Sequence, residues 1–103
     1  MKGVNMETFN GWRNYGTWCV YSWLMNDEST YNDVLQMVEA ARDSSTFFKD
    51  QCNALTDKIK DYTCDEARRL DASMYSDLLQ WALELVSFYD IAKSLLEDEE
   101  NAK

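Results

Sequence analysis

Glycine occurs only at Gly3, Gly11 and Gly16, and proline does not occur at all. These two residues most often interrupt or end a helix, so from Thr17 onward nothing in the composition breaks one. Apolar residues then recur at spacings of three and four. The runs are Tyr31, Val34, Leu35, Val38 and Ala41; Phe48, Cys52, Leu55, Ile59 and Tyr62; Tyr75, Leu78, Leu79, Ala82, Leu83 and Val86; and Phe88, Ile91, Ala92, Leu95 and Leu96. Each run places one apolar stripe along a helix. A fifth, shorter helix is predicted from about Tyr15 or Thr17 to Met25, so the expected fold is all-α, a compact single-domain bundle of about five helices.

Helix starts are marked by hydroxyl and carboxylate residues whose side chains satisfy open backbone amides. Thr30 with Asp33, Thr63 with Glu66 and Ser87 with Asp90 fit a hydroxyl three residues ahead of an acid, and Asn14 or Gly16, Ser45 or Thr46, and Asp71 or Ser73 are simpler caps. Joints are expected near residues 27 to 30, 44 to 46, 63 to 73 and 86 to 88. Joints this short favour antiparallel or sharply angled neighbours.

The segment "NGWRNYGTWCVYSWLMNDE", residues 10 to 28, holds three tryptophans and two tyrosines. At 100° per residue Trp18, Tyr21 and Met25 share one face, while Cys19 and Trp23 share the next. Such a helix is apolar around most of its girth and is expected deep among the others, with "GWRNYG" folding Trp12 and Tyr15 back over it. The expected core is Trp12, Trp18, Trp23, Phe48, Leu55, Ile59, Leu79, Leu83, Ile91 and Leu95. Stacking of bases on the aromatics would need a basic groove, and only Arg13 is near.

At 103 residues the chain is read as one domain, 1–103, with an acidic tail from about residue 97. A core of this size buries roughly 60 to 70% of the unfolded chain's surface. There is no apolar run of about 18 residues and no apolar leader after Lys2, so a cytoplasmic protein of a bacterial host cell is expected, with no membrane partner. Three cysteines, Cys19, Cys52 and Cys64, fall without C-x-x-C spacing in a chain that has no histidine. They read as small apolar residues on helices rather than as a disulfide framework or a zinc site.

The stretch from Asn10 to Tyr31, with Asn10, Gly11, Trp12, Asn14, Tyr15, Thr17, Trp18, Val20, Trp23, Leu24, Asn26, Asp27, Glu28 and Tyr31 in place, resembles the N-terminal "NGW-x-NYETW-x-V-x-LWL-x-NDE-x-x-Y" pattern of a family of small acidic proteins. Those proteins occur in phages, plasmids and some bacterial chromosomes. "YSDLLQWALELVSFYDIAKSLLED" is similar to the family's ending, a "DLL" helix followed by an "IA-x-x-LLED" helix. The chain departs at Gly16, where the family usually has glutamate. The resemblance implies a mobile-element origin and brings no established activity with it.

No catalytic, cofactor-binding or metal-ligating residues are assigned. Without histidine the acid and base candidates are carboxylates, tyrosines, lysines and thiols, and no spacing joins a nucleophile to a base or builds a carboxylate cage. Asn14, Tyr15, Thr17, Asn26, Asp27 and Glu28 read as caps rather than as a site.

Charge carries the functional expectation. The net charge is −9, and residues 71 to 103 hold eight acids against two bases. Such a surface repels nucleic acid and anionic membrane and attracts basic proteins. Asp71, Asp77, Glu84, Asp90, Glu97, Asp98, Glu99 and Glu100 are the candidate partner-binding residues, acting as acceptors for lysine and arginine. The expected function is a non-enzymatic inhibitor of a host defence nucleoprotein, of the anti-CRISPR or anti-restriction type, that occupies a basic nucleic-acid groove. The alternative is an adaptor or regulator docking a host transcription or replication protein through an exposed aromatic face with Trp12, Tyr15 and Tyr31 as anchors. Oligomeric state is left open by the sequence.

Overall fold

The computed structural model describes residues 10–101, apart from the side chains of Glu66 and of residues 98–101. The fold is all-α: α1 (Tyr15–Asn26), α2 (Glu28–Ser44), α3 (Phe48–Arg68), α4 (Met74–Glu84) and α5 (Phe88–Asn101). Asn10 and Gly11 both have positive φ, 50° and 87°, a left-handed turn that asparagine and glycine adopt most readily. It folds Trp12 back onto α1, where its ring lies 4.5 Å from that of Tyr21.

Each joint has a local chemical cause. Asn14 is extended and its Oδ1 accepts the Thr17 amide at 2.9 Å, starting α1. Asp27 caps α2 by accepting the amides of Ser29 and Thr30. Thr30 therefore lies inside α2 rather than at its start. Ser45 Oγ accepts the Phe47 amide ahead of α3. Thr63 does not begin a helix: α3 runs unbroken past it to Arg68, with neither glycine nor proline in the segment to end it. Ser73 and Ser76 form a reciprocal capping box at the start of α4, and Ser87 Oγ accepts the Asp90 amide at the start of α5.

α3 lies between α2 and α5, and α1 packs mainly on α2. The core is built from Val34, Val38 and Ala41 of α2, Cys52, Leu55 and Ile59 of α3, and Phe88, Ile91, Ala92, Leu95 and Leu96 of α5, with Leu24 of α1 at its edge. Trp12 and Leu83 pack partly buried against it, and Trp18 is half-buried.

Three expected core residues are on the surface. Trp23 is 71% exposed, because α1 turns its Thr17, Val20, Tyr21, Leu24 and Met25 side inward and Trp23 lies about 100° from Leu24 on the outer side. α1 therefore flanks the bundle instead of lying deep within it. Phe48 occupies the first turn of α3, at the end of that helix's stripe, and is exposed. Leu79 is exposed because α4 meets the body only lightly, along its Leu83 side, and none of its residues is fully buried.

A candidate protein-docking surface

The position of α4 is set from the opposite end of the chain. Asn14 Nδ2 donates to the Leu85 carbonyl at 2.9 Å, just past the end of α4. Thr17, fully buried, donates its hydroxyl to Asn14 Oδ1 at 2.8 Å and accepts the Ser87 amide at 2.9 Å. Arg13 Nε meets Asp90 Oδ2 at 3.0 Å, a hydrogen bond that pushes the guanidinium further above its ordinary range. The start of α1 thus clamps the turn between α4 and α5. Gly16 belongs to the same joint: a Cβ there would meet Val86 Cγ2 at 3.5 Å, an ordinary contact, so the packing does not require glycine at this position.

Beyond the clamp, α4 touches α3 more than any other helix, and only lightly. Its exposed apolar residues are Met74, Tyr75, Leu78, Leu79 and Trp81, with Leu70 before it and Leu85 after it, all between 38% and 74% exposed. Between α4 and α3 runs a groove of about 630 Å³. Its inner wall includes Cys64, Leu83, Val86 and Phe88, and its edges carry Lys60 and Arg68 from α3 opposite Asp77 and Glu84 from α4.

The expected acidic residues do not form one row. Asp71 lies exposed in the turn before α4. Asp77 and Glu84 share the α3–α4 groove with two bases. Asp90 and Glu97 lie in a separate open cleft of about 260 Å³ that also holds Arg13 and Lys93. The side chains of Asp98, Glu99 and Glu100 lie outside the described residues. Each described pair of acids thus shares its surroundings with basic residues, which local sequence spacing alone could not reveal.

The expected aromatic anchors are also dispersed. Trp12 and Tyr31 are half-buried, and Tyr15 is exposed, its ring 5.8 Å from that of Trp18. The aromatics that do reach solvent on α4, Tyr75 and Trp81, were not among them. A signal existed: Trp81 and Leu85 fall outside the stripe formed by Leu79, Leu83 and Val86, so the apolar arc of this helix is wider than one buried face requires.

The three cysteines are free thiols, Cys52 fully buried and Cys19 and Cys64 half-buried. Burial pushes the Cys52 thiol above its ordinary range, the inert state for sulfur. Among the described residues, no group of three or more Cys, Asp or Glu is placed to hold a metal ion, and no helix is long and apolar enough to cross a membrane.

The model of a family of unknown function, DUF7249, matches residues 5–101. The chain belongs to that family. In this DUF7249 member the matched span takes in both the Asn14–Thr17 clamp and α4, which it holds. No curated protein and no solved structure matches the chain.

Proposed function

We propose that this chain is a non-enzymatic binding protein that works by docking another protein on the apolar face of α4. The observation that carries this reading is a helix without one buried residue that exposes Tyr75, Leu78 and Trp81 on a tied-down base. Contiguous apolar surface of this kind marks interaction sites, and tyrosine and tryptophan are the residues most enriched where binding energy concentrates. The function class is the adaptor or regulator, acting in the bacterial cytoplasm in the mobile-element setting that the sequence resemblance implies.

A second reading, inhibition of a host defence nucleoprotein by an acidic surface, is favoured by one observation. Asp71, Asp77, Glu84 and Glu97 are exposed, and no ion pair engages them among the described residues. The two readings separate on salt. Tagged protein is used to capture partners from bacterial lysate, washed at low and at moderate ionic strength. The wild type is compared with Leu78→Glu/Trp81→Glu and with a variant in which those four acids become amides. A partner retained at moderate salt and lost only with the α4 variant supports docking on α4. A partner lost at moderate salt and with the amide variant moves the assignment to acidic inhibition. Capture indifferent to Leu78 and Trp81 removes the α4 proposal.

A further inference from the structure

We infer that the protein docking on α4 is a second copy of this chain, with the two α4 helices antiparallel across a two-fold axis. The inference rests on the reading of α4 as a docking face and names its occupant. At 100° per residue the arc from Trp81 through Leu78 and Ala82 to Leu79 spans about 160° of the helix. No charged residue lies within it; Asp77 and Glu84 lie about 40° and 60° beyond its Trp81 edge, beside the α3 groove.

Area argues for a stable pair. The exposed apolar side chains of α4 and its two ends leave on the order of 700 Å² in water, more than the largest apolar patch of a typical monomer and close to the ~800 Å² per partner of a standard interface. α4 is also only 11 residues long, and its support within the described chain is its capping box, the Asn14 clamp, Leu83 and a light contact with α3. A helix so short and so apolar needs cover from the time the chain folds. The partner present wherever the chain is made is another copy of it.

Self-complementarity sets the register. A two-fold contact places one patch on itself, and the middle of α4 offers a large residue and a small one a turn apart, Leu78 and Ala82. Antiparallel packing lets Leu78 of each copy enter over Ala82 of the other, the small residue permitting close approach of the axes. Tyr75 then covers Leu85 across the axis, and Trp81 covers Leu79. The net charge of −9 on each copy opposes association through solvent, so added salt strengthens this contact by screening.

The test is sedimentation of the purified full chain from low to high micromolar concentration, with circular dichroism as the check on folding. The expected mass rises to twice the 12.1 kDa of one chain and does not fall as salt is added. Leu78→Glu, and independently Trp81→Glu, stay helical and remain at one chain mass throughout. Trp23→Glu, which changes a still more exposed tryptophan on α1, keeps the wild-type mass. Ala82→Leu enlarges the apolar face but blocks the close approach, and weakens the dimer about tenfold; tighter association in that variant would instead mean unspecific stickiness and overturn the packing. A wild type of one chain mass at every concentration overturns the inference, as does a dimer indifferent to Leu78→Glu. If the wild type is monomeric while Leu78→Glu abolishes capture of a lysate protein, the second copy is ruled out and docking on α4 stands. If neither mass nor capture responds, both fall.

Discussion

α4 and α5 follow one another in the chain, both are amphipathic, and both begin at a serine cap. Yet α5 fully buries Phe88, Ile91, Ala92, Leu95 and Leu96, whereas α4 fully buries no residue and brings only Leu83 partly against the core. Hydrophobic pattern is therefore not what separates them. α5 lies against the long central α3, while α4 is held to the body by the Asn14 clamp at its C-terminal end, by Leu83 and by a light contact with α3. The contrast teaches that an apolar stripe states only that a helix wants cover; it does not say whether the cover comes from the same chain.

The largest expected effect probes that contrast directly. Ile91→Ala should lower unfolding free energy by about 2 to 5 kcal/mol, the range for truncating a large buried aliphatic side chain. Leu78→Ala, measured by urea denaturation at low protein concentration, should stay within about 0.5 kcal/mol. Equal losses at the two positions would mean that α4 is packed within the single chain, and the comparison would break.

The clamp is next in size. Thr17→Val keeps the shape of a fully buried side chain but leaves the Ser87 amide without its acceptor, and should cost about 1 to 3 kcal/mol. Asn14→Ala removes both the α1 cap and the bond to Leu85, with an expected loss of about 1 to 2 kcal/mol. If hydrogen exchange in these variants quickens across α4 and its two turns while the α2–α3–α5 core keeps its protection, the clamp holds α4; uniform quickening would show it to be part of the core.

A smaller change of opposite sign is expected at Gly16. Its φ is not positive and a Cβ there meets Val86 at ordinary contact distance, so Gly16→Ala should stabilise by about 0.5 to 1 kcal/mol. A loss in thermal melting would show that the start of α1 is tighter against α4's base than those distances allow.

The smallest effect appears in alkali. Tyr62 donates to Asp33 Oδ2 at 2.8 Å, tying α3 to α2, and that bond raises the phenol above its ordinary value. A raised folded-state value means that the contribution is fully present below the ordinary phenol value of about 10 and is lost as pH rises through the raised one. Urea titrations across that range should show a shallower alkaline loss for Tyr62→Phe than for wild type, sharpening the assignment of this tie to the body of the bundle.

The all-α class and most joints were legible because glycine, proline and capping residues act locally. Leu55, Ile59, Ile91 and Leu95 were legible as core because a stripe of period 3.6 needs cover. Trp23 and Leu79 were not, since size and hydrophobicity do not say which helix goes deep. The α4 surface was hidden for the same reason: Tyr75, Leu78 and Leu79 read as one more buried face until the packing placed α4 outside. Thr17 read correctly as a residue of the helix start, but its bond to Ser87 joins positions 70 residues apart, beyond the reach of local spacing. The acids were visible as a total, whereas their sharing of clefts with Lys60, Arg68, Arg13 and Lys93 depends on tertiary placement.

That long-range bond also sets a timekeeper in the molecule. The amide of Ser87 precedes α5, where no helical carbonyl is available to it, and its acceptor is the Thr17 hydroxyl. Whenever α1 lifts from the bundle, this one amide is released to solvent and can trade its hydrogen for deuterium, while α5 stays wound. Its exchange rate therefore reports the departures of α1: the share of time spent away where reclosing outpaces exchange, and the number of departures where exchange outpaces reclosing. A single resonance thus follows how the two ends of the chain let go of each other.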